Sequence, residues 1–184
     1  MIVFIVLAII IGIIAFYVVG LNNNLVRLNN KVNEAFSTMD VYLKKRWDLI
    51  PNLVETVKGY AKHEKGTLEE VIKLRGGVSY DSMSNDEKIK TNTVLSRGIS
   101  KIIALSEAYP ELKANENFKD LSNQLTKLEE DIANARKYYN GSVRIFNDKV
   151  QIFPNSLFAG MLGYKPKDMF NIDESERNNV KIQF

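Results

Sequence analysis

The chain contains no cysteine, which excludes disulfides, thiolate catalysis, cysteine zinc sites and a lipidated N-terminal cysteine. Histidine occurs once, as His63. A carboxylate-bridged di-metal centre in a helical bundle draws on two Glu-x-x-His motifs, and position 60 here is a tyrosine. The zinc-protease pattern His-Glu-x-x-His also fails, because Thr67 stands where the second histidine belongs. Flanked by Lys62, Glu64 and Lys65, His63 is read as a surface residue, and a Ser-His-Asp triad built on it has no serine to nominate. Neither Gly-x-Gly-x-x-Gly nor a phosphate-loop lysine motif occurs. The stretch Asp81–Asp86 lacks the third-position ligand and sixth-position glycine of a calcium loop. No residue is nominated as catalytic, cofactor-binding or metal-ligating, no cofactor is expected, and the chain is not read as an enzyme.

Charge is also missing, from one place only: Met1–Leu21 carries no ionisable side chain. A bilayer core of about 30 Å is crossed by about 20 apolar residues in a helix. Ile2, Phe4, Leu7, Ile11, Phe16, Val19 and Leu21 are therefore assigned to a single transmembrane anchor at 1–21, contacting the lipid bilayer. A cleaved signal peptide would have a basic start, a shorter apolar core and a small-residue cleavage site, and none is present around Tyr17–Asn24. Arg27, Lys31, Lys44, Lys45 and Arg46 follow the run, against Glu34 and Asp40. By the positive-inside rule the domain at 22–184 is expected on the cytoplasmic side of the cell membrane.

The rest of the chain has the make-up of a folded domain, with 45% apolar and 26% charged residues overall and a net charge of +3. The charges are interleaved as on solvated helices, so nucleic acid is not an expected partner. An apolar stripe at steps of three and four runs Leu21, Leu25, Leu28, Val32, Ala35/Phe36, Met39, Leu43, Trp47, Ile50, Val54, Val57, Ala61. It keeps phase through Pro51, which fits a kinked continuous helix. A helix from 22 to about 76 would, however, be roughly 80 Å long, longer than the later helices can cover. A sharp break near Trp47–Pro51 is therefore favoured, with Asp48 as N-cap of a new helix. A capping-box pattern at Thr67–Glu70, after Gly66, suggests a further interruption, and Gly76-Gly77 a stop. Ser79–Asn85 reads as a polar loop, and Ser84 with Glu87 as a helix start.

The next helix carries Ile89, Leu95, Ile99, Ile102 and Ile103, with Gly98 allowing close helix approach. The cleanest stripe is Phe118, Leu121, Leu125, Leu128, Ile132, Ala135, Tyr139, Val143, Phe146, Val150, Phe153, which predicts a long, nearly heptad helix over 116–153. A short helix at Asn155–Leu162 is stopped by Gly163. The tail at 165–184 is mixed, with Val180, Ile182 and Phe184 alternating as in an extended end.

Two candidate interaction regions emerge. Lys44-Lys45-Arg46 is read as a solvated helix face more readily than as a grip on lipid. Residue 44 lies roughly 35 Å past the membrane exit, beyond the ~10 Å reach of headgroup charge. Phe158, Leu162, Tyr164 and Phe184 in the tail either bind a partner or cap the helical core. Tyr42, Trp47, Tyr60, Tyr138, Tyr139, Phe146 and Phe153 fall on or beside the stripes and are read as core, not as base-stacking platforms. Asparagines beside aromatics, Tyr139-Asn140 and Phe146-Asn147, are suited to tying helices by hydrogen bonds or to lining a binding groove.

Taken together, Asn24–Leu28, Val32–Ser37 and Asp40–Glu64 closely resemble the LemA family of bacterial membrane proteins. So do Ala135–Asn140, Val143, Phe146-Asn147, Phe153-Pro154, Leu157, Leu162–Tyr164 and Phe170. Phe36 stands where that family usually has Trp, Gly66 interrupts a run that is normally helical, and the tail lacks a proline before its last apolar residues. The resemblance implies an N-terminal anchor and a four-helix, up-and-down bundle, which agrees with a break near Pro51. It implies no established activity, substrate or cofactor. The expected architecture is all-α: a transmembrane helix, an antiparallel up-and-down four-helix bundle, a short C-terminal helix and an extended tail. The expected role is a non-catalytic scaffold or adaptor for partner proteins. Self-assembly into a homo-oligomer is the first alternative and a membrane-coupled hydrolase the more distant one.

Overall fold

A computed structural model describes residues 1–61, 64–75 and 79–170. The protein is all-α, with six α-helices and no strand among the described residues: α1 (Ile2–Tyr60), α2 (Lys65–Arg75), α3 (Asn85–Leu105), α4 (Pro110–Ala114), α5 (Glu116–Gln151) and α6 (Asn155–Met161). His63, Gly76-Gly77 and the alternating end at Val180–Phe184 lie outside the described residues, as do the side chains of Thr67 and Glu70.

The expected break near Trp47–Pro51 is not there. Helix α1 runs through Pro51 for 59 residues, about 88 Å at 1.5 Å per residue. Proline inside a helix removes one backbone bond and costs about 3 kcal/mol. On either side of it Trp47, Ile50, Leu53, Val54 and Val57 are all buried on one stripe. Their burial, at about 1.5–3 kcal/mol per large side chain, outweighs the defect, and a break would put that stripe out of phase. Residues of α1 up to Thr38 and those from Met39 belong to different compact units, so no single set of later helices has to cover the whole rod. Helix α1 ends at Tyr60 and α2 begins at Lys65, with Gly66 in its first turn.

The chain divides into two compact units, Met1–Thr38 with Ala135–Phe170, and Met39–Asn134 among the described residues. In the Met39–Asn134 unit, Asp40 pairs with Lys88 and Arg46 with Asn92, so α3 runs parallel to this part of α1. Arg46 also pairs with Glu129, and Tyr60 with Asn115, so α5 runs antiparallel to it. Glu64, just before α2, meets Tyr109 beyond the end of α3, whereas Tyr80, after α2, meets Asp40. Helix α2 therefore points down between two helices that point up, giving an up-down-up-down order of four segments. The start of α3 is the expected capping box: Ser84 Oγ accepts from Glu87 N–H, and the Ser84 N–H donates to Glu87 Oε2 at 2.7 Å. The Ser84 hydroxyl also donates to Glu87 Oε2, and this bond first, then the one from the Ser84 N–H, holds the Glu87 carboxyl below its ordinary pKa.

Gly98 does allow close approach. A Cβ built there would lie 2.7 Å from Val71 Cγ2, and Val71 is fully buried. Gly98→Ala is expected to destabilise by about 1–2 kcal/mol, because overpacking outweighs the helix-propensity gain of about 1 kcal/mol. Gly141→Ala, in the middle of α5 with open space where its Cβ would go, is expected to stabilise by about 0.5–1 kcal/mol. Denaturant titration of both variants in detergent checks the pair, and equal stabilisation of both would show that Val71 moves aside freely.

In the other unit, Tyr17 meets Asn155 while Phe36 packs edge-on to Tyr139, so α5 again runs antiparallel to α1. Helix α6 ends as its sequence suggests. Gly163 takes φ +83°, and the amides of Gly163 and Tyr164 donate back to the carbonyls of Gly160 and Ala159, the αL stop that glycine serves best. Residues 164–170 then run without regular structure.

Candidate functional site

The sequence candidates separate once their burial is known. Arg46 does not belong to a surface basic patch: it is 1% exposed. Three consecutive helical residues point in three directions about 100° apart, and Arg46 takes the inward one beside Trp47. Its guanidinium donates to Asn92 Oδ1 at 2.9 Å and to Glu129. Lys44 is committed to Asp48 at 2.8 Å, one helical turn on. Lys45 shares an open groove of about 480 Å³ with Lys127, Asp48 and Asp131, two cations against two anions and no field of one sign.

A second polar cluster went unread in the sequence. Tyr80, in a stretch taken as a polar loop, is 5% exposed in a 3₁₀ turn. Its hydroxyl donates to Asp40 Oδ1 at 2.6 Å, Lys88 Nζ reaches Asp40 Oδ2 at 2.8 Å, and its ring packs on Trp47. Burial first, then the bond to Asp40, pushes the Tyr80 hydroxyl far above its ordinary pKa, so it stays a donor. The available signal was an aromatic inside a Ser/Asp-rich stretch, which has little reason to be there unless it packs.

The C-terminal segment is held by the asparagines that the sequence singled out. Asn140 Nδ2 donates to the Phe170 carbonyl at 2.9 Å and Asn140 Oδ1 accepts from the Phe170 N–H at 2.8 Å. One pair of turns further along α5, Asn147 makes the same two bonds to Lys167, both at 2.8 Å. Each amide thus pairs with both the N–H and the carbonyl of one backbone residue. Phe170 is buried beneath them, with the Arg136 guanidinium 4.1 Å from its ring centre. Partial burial lowers the pKa of the Lys167 ammonium. Of the tail candidates, Tyr164 donates to Asn22 Oδ1 and packs on Phe146, Phe158 packs edge-on to Tyr17, and Leu162 is half-buried. All three lie within one compact unit. Phe184 lies outside the described residues.

The apolar run at the N-terminus is exposed almost throughout. Ile2, Phe4, Leu7, Ile11, Phe16 and Val19 are each at least half exposed, whereas Leu21 is 5% exposed within its unit. The stripe along α5 is buried or half-buried through Val150, with Leu121 and Leu128 only half-buried, but Phe153 does not follow it: it is 74% exposed. The helix ends at Gln151, and the three-four phase that would have turned residue 153 inward ends with it. Tyr60 and Tyr138 are likewise partly exposed, not core. Among the described residues no group of three His, Cys, Asp or Glu is placed to hold a metal ion.

These features define a class: an all-α protein whose first helix holds an 18-residue window apolar enough to cross a membrane, with a mean hydropathy of 3.3, and continues beyond it into the helical domain. The chain belongs to the LemA family, whose family model matches residues 35–184. It is similar to Protein LemA of Metamycoplasma hominis, 26% identical over 170 residues, covering 92% of this chain and 78% of the relative.

Proposed function

We propose that the protein is a single-pass membrane protein that works by binding, as a non-catalytic scaffold or adaptor on the cytoplasmic face. The observation that carries this reading is the continuity of α1. Its apolar window is wholly unburied by protein, and the same helix supplies Leu21, Leu25 and the stripe beyond them to the folded core. A domain attached this way is held stiffly at the bilayer and not on a flexible linker. The non-catalytic reading is supported by Arg46, Asp40, Tyr80, Asn140 and Asn147, which are each engaged in joining one segment to another. They are occupied in holding the fold.

Alkaline carbonate extraction is expected to leave the chain in the membrane pellet, and release to the supernatant would remove the anchor. A single cysteine at exposed Val41 is expected to react with an impermeant maleimide only in inverted vesicles, and labelling from outside would reverse the orientation. Photo-crosslinkers at exposed Val41, Tyr138 and Ile145 are expected to yield adducts with a different protein. Adducts between copies alone would favour self-assembly instead.

A further inference from the structure

We infer that α6 and the residues leading into it form a second membrane contact, lying in the bilayer interface beside the exit of α1. This rests on the reading of α1 as a membrane anchor. Helix α6 is not docked on the water-side part of α1 but on the apolar run itself: Tyr17 donates to Asn155 Oδ1 at 2.5 Å, and the Tyr17 and Phe158 rings meet at 6.0 Å. Tyr17 lies four residues before the end of the apolar run, about 6 Å inside it along the helix axis. If the run spans the hydrocarbon core, α6 sits at the level where hydrocarbon gives way to headgroups.

The face that α6 turns away from α1 is apolar, which makes no sense in water. Asn155 and Ala159 are buried inward, whereas Leu157 is 60% and Met161 85% exposed, one turn apart on the opposite side. Phe153 and Ile152, just before the helix, are 74% and 59% exposed. Large apolar side chains gathered this way mark a contact surface. Its continuity with the exposed Phe16 and Val19 of α1 names the occupant as lipid. Interfacial helices bury such a face about 5–10 Å into the headgroup and acyl boundary, and a tyrosine such as Tyr17 belongs at that depth. Between the two helices an open groove of about 440 Å³ has walls of Ile13, Phe16, Gly20 and Leu21, with Lys149 at its edge. A lysine there can lay its stem on the apolar wall and its ammonium among phosphates.

The absence of cysteine makes the test direct. Full-length Leu157→Cys and Met161→Cys variants carry nitroxide labels in phosphatidylcholine/phosphatidylglycerol nanodiscs, with Ile11→Cys and Val41→Cys as lipid and water references. Both α6 labels are expected to collide severalfold more often with oxygen than with a water-soluble nickel chelate, as Ile11 does and Val41 does not. If Ile11 reports lipid while 157 and 161 report water, the anchor stands and the α6 contact is overturned. Shielding of 157 and 161 from both reagents would mean that protein covers the face, a second copy or a partner, and would overturn it equally. Water access at Ile11 would remove the anchor and this inference together. Both labelled α6 positions are exposed, so misfolding is not expected, and unchanged Trp47 emission verifies that the fold is intact.

Discussion

Arg46→Ala is expected to lower stability by about 3 kcal/mol, which for a chain of this size corresponds to about 6–12 °C in Tm. The loss has two sources. The arginine stem fills space among fully buried neighbours, and its removal leaves the Asn92 carbonyl, itself in a residue only 3% exposed, without its charged donor. Arg46→Lys should recover only part of it, because an ammonium is a point donor and cannot reproduce the planar fork that reaches Asn92 and Glu129 together. Glu129→Gln should cost less than Arg46→Ala, since the Gln amide oxygen can still accept from the guanidinium and the 43% exposed position admits water. Trp47, the one tryptophan and 3% exposed, reports unfolding of the full chain in detergent by fluorescence. A loss under about 0.5 kcal/mol for Arg46→Ala would place it among ordinary surface substitutions and contradict the buried network.

The second large effect is expected at the asparagine clamps. Asn140→Ala removes two backbone bonds from Phe170, and Asn147→Ala two from Lys167. At about 1 kcal/mol each, either change frees its stretch by about 2 kcal/mol. The Phe170 or Lys167 amide should then exchange with deuterium about 30-fold faster. The clamps are two turns apart, far enough to be nearly additive, so the double variant should reach about 10³-fold. Global stability should fall far less, because Val143, Phe146 and Val150 remain buried without the segment's hydrogen bonds. Exchange rates that do not change would mean that the segment is held by Phe170 burial alone.

Periodicity made much of this molecule readable. The uncharged run at the start, the helix over 116–151, the Ser84–Glu87 cap and the glycine stop at 163 each rest on interactions within a few residues, and such interactions are written in sequence. The close approach at Gly98 was readable for the same reason, as a glycine inside a good helix. The course of α1 through Pro51 was not. The local defect was visible, but the burial that outweighs it comes from residues far away in the chain. Arg46 failed likewise: three basic residues in a row read as a solvated helix face, and only the packing of neighbouring helices turns the third one inward. Phe153 continued a stripe on paper and left it in space, because the helix that set the phase had already ended.

The sequence alone determined that the protein is all-α, that its first 20 or so residues are fit for a bilayer, and that Asn140 and Asn147 were unusual polar residues beside a core stripe. Tertiary structure alone decided where the amides go and which apolar side chains stay uncovered. Hydrogen-bond partners 20 and 30 residues away carry no local signature, and exposure is a property of what fails to pack against a residue. Leu157 and Met161 look in sequence like any other core positions; only the placement of α6 against Tyr17 leaves them facing outward.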